Sequence, residues 1–216
     1  MAAPFDPGRD CARCPRLKSF RDAQRIAEPH WHNAPVDTLL APEGAQSVRL
    51  LVVGLAPGLK GANRTGRPFT GDFAGELLFS TLLKFGFANG NYGASAGDGL
   101  RLAGAAITNA VRCVPPQNKP TGIEIAQCRP HLAATLSRFP RLAAILALGR
   151  IAHDSTLRAL GRKPALAPFA HGAVHEAGGI ALIASYHCSR YNTNTGRLTE
   201  AMFHQAFAKA AAAARH

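Results

Sequence analysis

Short apolar runs alternate along this chain with longer stretches in which apolar positions recur every three or four residues. Val48 to Val53, Ala105 to Val111, Leu142 to Leu148 and Ile180 to Tyr186 are brief and rich in aliphatic residues, as strands buried on both faces should be. Val174 and His175 predict a further edge strand. After the first run, Leu77, Leu78, Leu82 and Phe85 keep helical spacing between Phe73 and Phe87, with Asp72 placed to cap the helix and Gly86 to end it. Thr121 and Glu124 have the spacing of a capping box and start a helix that carries Cys128. Pro130 predicts a kink or a fresh helix start, with Leu132, Leu136 and Phe139 facing inward. Ile151 to Leu160, closed by Gly161, and the Ala-rich Thr199 to Arg215, with Met202, Phe203 and Phe207 as its buried face, are the remaining helices. Strands alternating with helices imply an α/β fold, a parallel sheet covered on both faces. The length favours a single domain over 1–216.

Ligands in such sheets bind where loops leave the carboxyl ends of the strands. Three loops there have unusual residues: Gly54 to Asp72, Asn109 to Pro120, and Tyr186 to Gly196. The first has five glycines and two prolines, a composition suited to backbone that approaches a ligand closely; the plain alternative is a floppy surface loop. It is not a nucleotide-binding P-loop, because Gly58 is followed by Leu59, Lys60 and Gly61 and the hydroxyl that would hold magnesium is missing. Asn89 to Gly99 reads as a surface loop, and Trp31 as an anchor for the polar segment around it.

Charge narrows the class of partner. Twenty-five Lys and Arg against 13 Asp and Glu leave a net charge of +12, which suits a polyanion such as nucleic acid. No run is long and apolar enough for a membrane span, and Met1 to Asp10 lacks the apolar core of a signal peptide, so a cytoplasmic protein is expected. The five cysteines include two pairs, Cys11 with Cys14 and Cys113 with Cys128. Four thiolates from two distant segments can close a zinc site or hold a [4Fe–4S] cluster, and the spacing alone leans to zinc. Either would clip the N-terminal arm to the domain.

Gly54-Leu-Ala-Pro-Gly58 through Phe69-Thr-Gly-Asp72, then Thr108-Asn-Ala-Val-Arg-Cys113, then His187-Cys-Ser-Arg-Tyr-Asn192 with Thr195-Gly196 together resemble the signature motifs of uracil-DNA glycosylases. More narrowly they resemble the iron–sulfur-containing family 5, or type b, enzymes. The resemblance implies a three-layer α/β/α fold with a central, mainly parallel four-stranded sheet, and a [4Fe–4S] cluster on Cys11, Cys14, Cys113 and Cys128. It implies a monomeric, monofunctional glycosylase of base excision repair that acts on uracil, and on other deaminated bases such as hypoxanthine, in DNA. Family 5 has an apolar residue, here Ala56, where relatives place a catalytic polar group in the first motif, so Asp72 becomes the candidate carboxylate. This chain also has Cys188 where the common form of the last motif is His-Pro-Ser.

Hydrolysing the bond between base and sugar requires the nucleotide to leave the stack and be read in a pocket. Gly54, Ala56 and Phe69 would form the pocket, with Phe69 as stacking face. The Asn109 amide would pair with the O4 and N3–H edge of uracil. His187 would donate to O2 of the departing base, and Asp72 would stabilise the cationic sugar and activate water. Lys60, Arg64, Arg190, Tyr191 and Asn192 would touch DNA. No lysine is placed as a Schiff-base nucleophile, so strand cutting is not expected. The rivals are a non-catalytic, metal-clipped nucleic-acid-binding module and an iron–sulfur redox protein.

Overall fold

The computed structural model describes residues 5–215, so the first four residues of the stretch read for a signal peptide lie outside the described residues. Four parallel strands form the centre: β2 (Leu50–Gly54), β5 (Ala105–Asn109), β6 (Ala144–Leu148) and β8 (Ala181–Ser185). Short antiparallel strands β1 (Leu39–Leu40) and β7 (Val174–Glu176) flank this four-stranded centre, giving the order β1-β5-β2-β6-β8-β7; β7 is the edge strand expected at Val174 and His175, whereas β1 was not expected. β1 is only two residues long and partly exposed, too short to leave a periodicity. A separate two-stranded ribbon pairs β3 (Ala88–Asn89) with β4 (Arg101–Leu102) around the surface loop.

Each side of the sheet buries the alternate residues of its strands. Leu50, Val52, Ile107, Leu146 and Ile183 pack on Leu78 and Leu82 of α3 (Phe73–Lys84) and on Phe203 and Phe207 of α7 (Glu200–Arg215). Leu51, Val53, Ile145 and Leu182 pack on Leu132 and Leu136 of α4 (Gly122–Ser137) and Leu157 of α5 (Arg150–Ala159). That is the α/β/α layering the alternation predicts. α4 begins at the Thr121–Glu124 capping box and runs on through Pro130 without a fresh start. Leu132 and Leu136 are buried on the far side of the proline, and their packing outweighs the one backbone donor it removes.

Three further helices escaped the pattern. α1 (Pro15–Ala27) buries only Leu17 and Arg21, so its apolar stripe is nearly absent. α2 (Ala62–Thr65) is a single turn inside the Gly-rich loop, and α6 (Arg190–Asn194) replaces the open loop expected after His187. The Gly-rich loop is not floppy. Asn33 and Asn63 join it to the segment after α1 through a side-chain bond of 2.8 Å and a backbone bond of 3.1 Å. Among the described residues no helix is long and apolar enough to cross a membrane.

Candidate active site

β2 lies between β5 on one side and β6 on the other, so the loops that follow β2 and β6 leave the sheet in opposite directions and open a crevice at the carboxyl ends. A cavity of about 580 Å³ occupies it, lined by Ala56, Phe69, Asp72, Asn109, His187 and Arg190 among others. The three motifs therefore converge on one place.

Gly54 and Asn109 end their strands side by side in register. A methyl group on Gly54 would overlap both the Asn109 Oδ1 atom and the ring of Phe69, so glycine is what lets these two side chains meet over the end of β2. Asn109 is buried, and its Oδ1 has no hydrogen-bond partner among the described residues. An orphaned acceptor at a pocket wall costs about 1–3 kcal/mol unless a ligand or water reaches it. Phe69 has φ of 56°, a left-handed backbone that costs a non-glycine residue about 1–3 kcal/mol and is held only where its surroundings demand it. Here the Tyr92 hydroxyl donates to the Phe69 carbonyl oxygen at 3.2 Å, and the absence of a side chain on Gly75 leaves room for that oxygen. The Phe69 ring stacks on His187, centroids 5.8 Å apart and 24° between planes.

Asp72 caps α3, its Oδ1 accepting from the Gly75 N–H at 3.2 Å. Burial pushes its carboxyl above the usual carboxylate pKa in spite of the N–H groups of Gly75 and Ala74. Gly61 and Gly58 pack their bare α-carbons against this carboxylate, which closes the first motif onto it. His187 stands just beyond β8 with part of its ring open to the cavity. Burial of the rest pushes its pKa down to about 4, so it is a neutral imidazole at pH 7. The Asn192 Nδ2 donates to the His187 carbonyl oxygen at 2.8 Å, turning inward and bracing the loop. Cys188 is fully buried and its Sγ donates to the Ala74 carbonyl oxygen at 3.4 Å, tying the His187 loop to the first turn of α3. Burial first, and the Asp72 charge second, push this thiol up to about 12.

The basic residues divide. Arg190 lines the cavity and lies over the Phe73 ring at 5.2 Å. Tyr191 is 72% exposed beside it. Lys60 and Arg64 are exposed on the turn at α2, linked by an Arg64 Nε bond to the Lys60 carbonyl oxygen, and do not line the cavity. Phe73, Gly149, Arg150, Ile151 and Asn118 line it without having been singled out from the sequence. Gly149 and Arg150 directly follow the third predicted strand, so the rule about carboxyl ends, applied to that loop as well, finds them.

Behind Ala56 lies the cysteine site. Cys11, Cys14, Cys113 and Cys128 line one small cavity, from the N-terminal arm, the loop after β5 and α4. Cys113 packs with Leu17 and Val111, and Ala56 borders the same cluster. Burial pushes the Cys14 thiol up to about 11 and Cys113 to about 12. The Arg112 N–H points at Cys128 Sγ, 3.3 Å, and the Arg21 Nη1 donates to Cys113 Sγ at 3.2 Å. Among the described residues no three His, Cys, Asp or Glu groups converge on one point as a single ion would require. A shared cavity with donors aimed at sulfur fits a thiolate-held cluster.

The model of the uracil DNA glycosylase superfamily matches residues 41–211. A type-5 uracil-DNA glycosylase of Thermus thermophilus is 44% identical over 200 residues, covering 89% of this chain and 89% of the relative. One of Pyrobaculum aerophilum is 41% identical over 207 residues, covering 94% of this chain and 88% of the relative, and one of Mycobacterium bovis 40% identical over 210, covering 93% and 76%. A type-4 enzyme of Pyrobaculum aerophilum is 29% identical over 157 residues. By fold, by the convergence of its three motifs on one crevice and by these likenesses, the chain belongs to the uracil-DNA glycosylase superfamily, in its type-5 family.

Proposed function

We propose that this protein is a monofunctional uracil-DNA glycosylase of base excision repair, which hydrolyses the bond between uracil and deoxyribose and leaves an abasic site. The observation that carries the reading is the buried, unpartnered Asn109 Oδ1 at the wall of a cavity whose other sides are Phe69, His187 and Asp72. An amide in that position accepts from uracil N3–H with Oδ1 and donates to O4 with Nδ2; cytosine offers the opposite pattern at both atoms. Phe69 stacks on the flipped base. His187, neutral and therefore a hydrogen-bond donor through one nitrogen only, stabilises negative charge growing on O2 of the leaving base. Asp72 stabilises positive charge growing on the sugar and takes the proton of the attacking water. Ala56 adds no polar contact, which leaves room for other deaminated bases such as hypoxanthine.

Lys60, Arg64 and Arg190 approach the phosphates, and the exposed Tyr191 ring meets the bases beside the extruded nucleotide. We place the activity in a cytoplasmic monomer folded as one domain, its N-terminal arm clipped by a [4Fe–4S] cluster on Cys11, Cys14, Cys113 and Cys128. When bound, the cluster supplies structural cross-linking rather than a step of the hydrolysis. The four thiols lining one cavity, with N–H donors aimed at the Cys113 and Cys128 sulfurs, support this reading.

Incubation with an oligonucleotide carrying one uracil opposite guanine, then alkali, is expected to cut the strand at the uracil and nowhere else. An intact strand after alkali would return the protein to the class of binding modules, and cutting without alkali would end the monofunctional reading. Gly54→Ala is expected to displace Phe69 and Asn109, an overpacking of about 1–3 kcal/mol, and so to slow excision about tenfold in a folded protein. Arg190→Ala is expected to lower the salt dependence of DNA binding by about one unit of slope for all sequences alike, as one lost phosphate contact requires.

A further inference from the structure

Arg21 is fully buried, yet no carboxylate pairs with it among the described residues. Asp22, next in the chain, turns to Lys18 and Arg25. The other fully buried arginine, Arg112, also has an Nε without a partner, but it has a carboxylate, Asp6, with Thr38 and Thr135 taking further bonds from its guanidinium. Arg21 has instead two hydrogen bonds, Nη1 to Cys113 Sγ at 3.2 Å and Nη2 to the Cys11 carbonyl oxygen at 2.9 Å, and its Nε has none. A guanidinium is a permanent cation, and taking one out of water costs several kcal/mol unless an anion lies beside it. Both of its partners belong to residues of the cysteine site, and its side chain lines the same cavity as the four thiols. The anion the arginine lacks is thus one that those thiols would supply once deprotonated by a metal.

We propose that Arg21 is the buried counter-charge of the metal–thiolate centre, setting its reduction potential and its hold on iron. This rests on the cluster reading given above. Four thiolates around a [4Fe–4S] core leave a net negative charge, and one nearby cation with a hydrogen bond to sulfur offsets part of it, more so in the reduced form, which is more negative. The Arg112 N–H adds a second donor to sulfur, but its guanidinium charge is already matched by Asp6. Arg13 lines the cavity too but is exposed to water, so among the described residues there Arg21 is the buried guanidinium that no carboxylate matches.

The test uses the full-length holoprotein and two substitutions. Arg21→Met keeps the bulk and removes the charge; Arg21→Lys keeps the charge and loses the planar fork. Iron and acid-labile sulfide are measured first in the wild type, where their absence would overturn the cluster reading and this inference together. In the loaded protein, Arg21→Met is expected to move the reduction potential to a more negative value and to release iron to a chelator about 10–100 times faster, the usual range for loss of a partner to a metal ligand. Arg21→Lys is expected to keep the potential close to the wild-type value and to lose iron more slowly than Met. A wild-type potential and iron release in Arg21→Met would overturn the inference while leaving the cluster intact. If Arg21→Met does not fold, a Lys variant with a potential shifted as a lost charge requires would overturn it equally.

Discussion

Asp72→Asn is expected to reduce uracil excision a hundredfold or more, the scale of a lost acid–base group, while leaving the melting temperature at pH 7 unchanged or higher. The two readouts separate because Asp72 has two jobs. As the cap of α3 it accepts from the Gly75 N–H, and asparagine caps a helix about as well as aspartate. As a charge it is costly to the fold, because burial raises its pKa above that of the unfolded chain. A group shifted upward contributes stability that is complete below the unfolded pKa and is lost as pH rises through the folded value, so at pH 7 the ionised carboxylate is carried at a loss that asparagine avoids. Asp72→Ala removes the cap as well, about 1 kcal/mol, and is expected to lower the melting temperature by about 2–4 °C on top of the same catalytic defect. The same upward shift predicts that turnover of the wild type falls on acidification at a pH above the usual carboxylate range, and that this limb is missing from the residual activity of Asp72→Asn. Near-normal turnover in the asparagine variant would reduce Asp72 to a helix cap.

The layered sheet was legible because its cause is local: Leu50 to Val53 and Ile145 to Leu148 are buried on both faces, so the runs are apolar at every position. Asp72 and Thr121 announced the starts of α3 and α4 because capping chemistry depends on neighbours in the chain. The site was legible through motif order, which brought Phe69, Asp72, Asn109 and His187 to one cavity. What escaped depends on contacts across the chain. α1 is held by the cysteine site and by Arg25 bonds to the Asn33 and Arg9 carbonyl oxygens, with hardly an apolar stripe to reveal it. The left-handed backbone of Phe69 depends on Tyr92, 23 residues away, and no spacing rule connects them. One N–H of the Asn192 amide is given to the His187 carbonyl oxygen, a bond that only the folded loop reveals.

His187→Ala is expected to slow excision about a hundredfold, roughly 3 kcal/mol of transition-state stabilisation, with little change in affinity for DNA that carries an abasic site. The loss would be in turnover because charge reaches O2 of the base only as the bond breaks, and the abasic product has no base to meet. His187 also stacks on Phe69, so alanine removes a donor and a wall together. His187→Phe keeps the wall and lacks the donor, and His187→Gln has a donor of similar reach without the ring. If the donor matters, Phe is as slow as Ala and Gln recovers part of the rate; if the wall matters, the order reverses. The pH profile adds a second constraint. With its pKa pushed down to about 4, His187 contributes no step near the usual histidine value, so the profile between about pH 5 and 8 owes nothing to it. On further acidification the imidazole gains a proton and would become a stronger donor, but burial makes Asp72 take up its proton at a higher pH than an ordinary carboxylate, so its charge is being lost as well and no rise in rate follows. A wild-type profile with a step near 6.5 that vanishes in His187→Gln would mean that the working residue is an imidazolium, and the neutral donor would have to be given up.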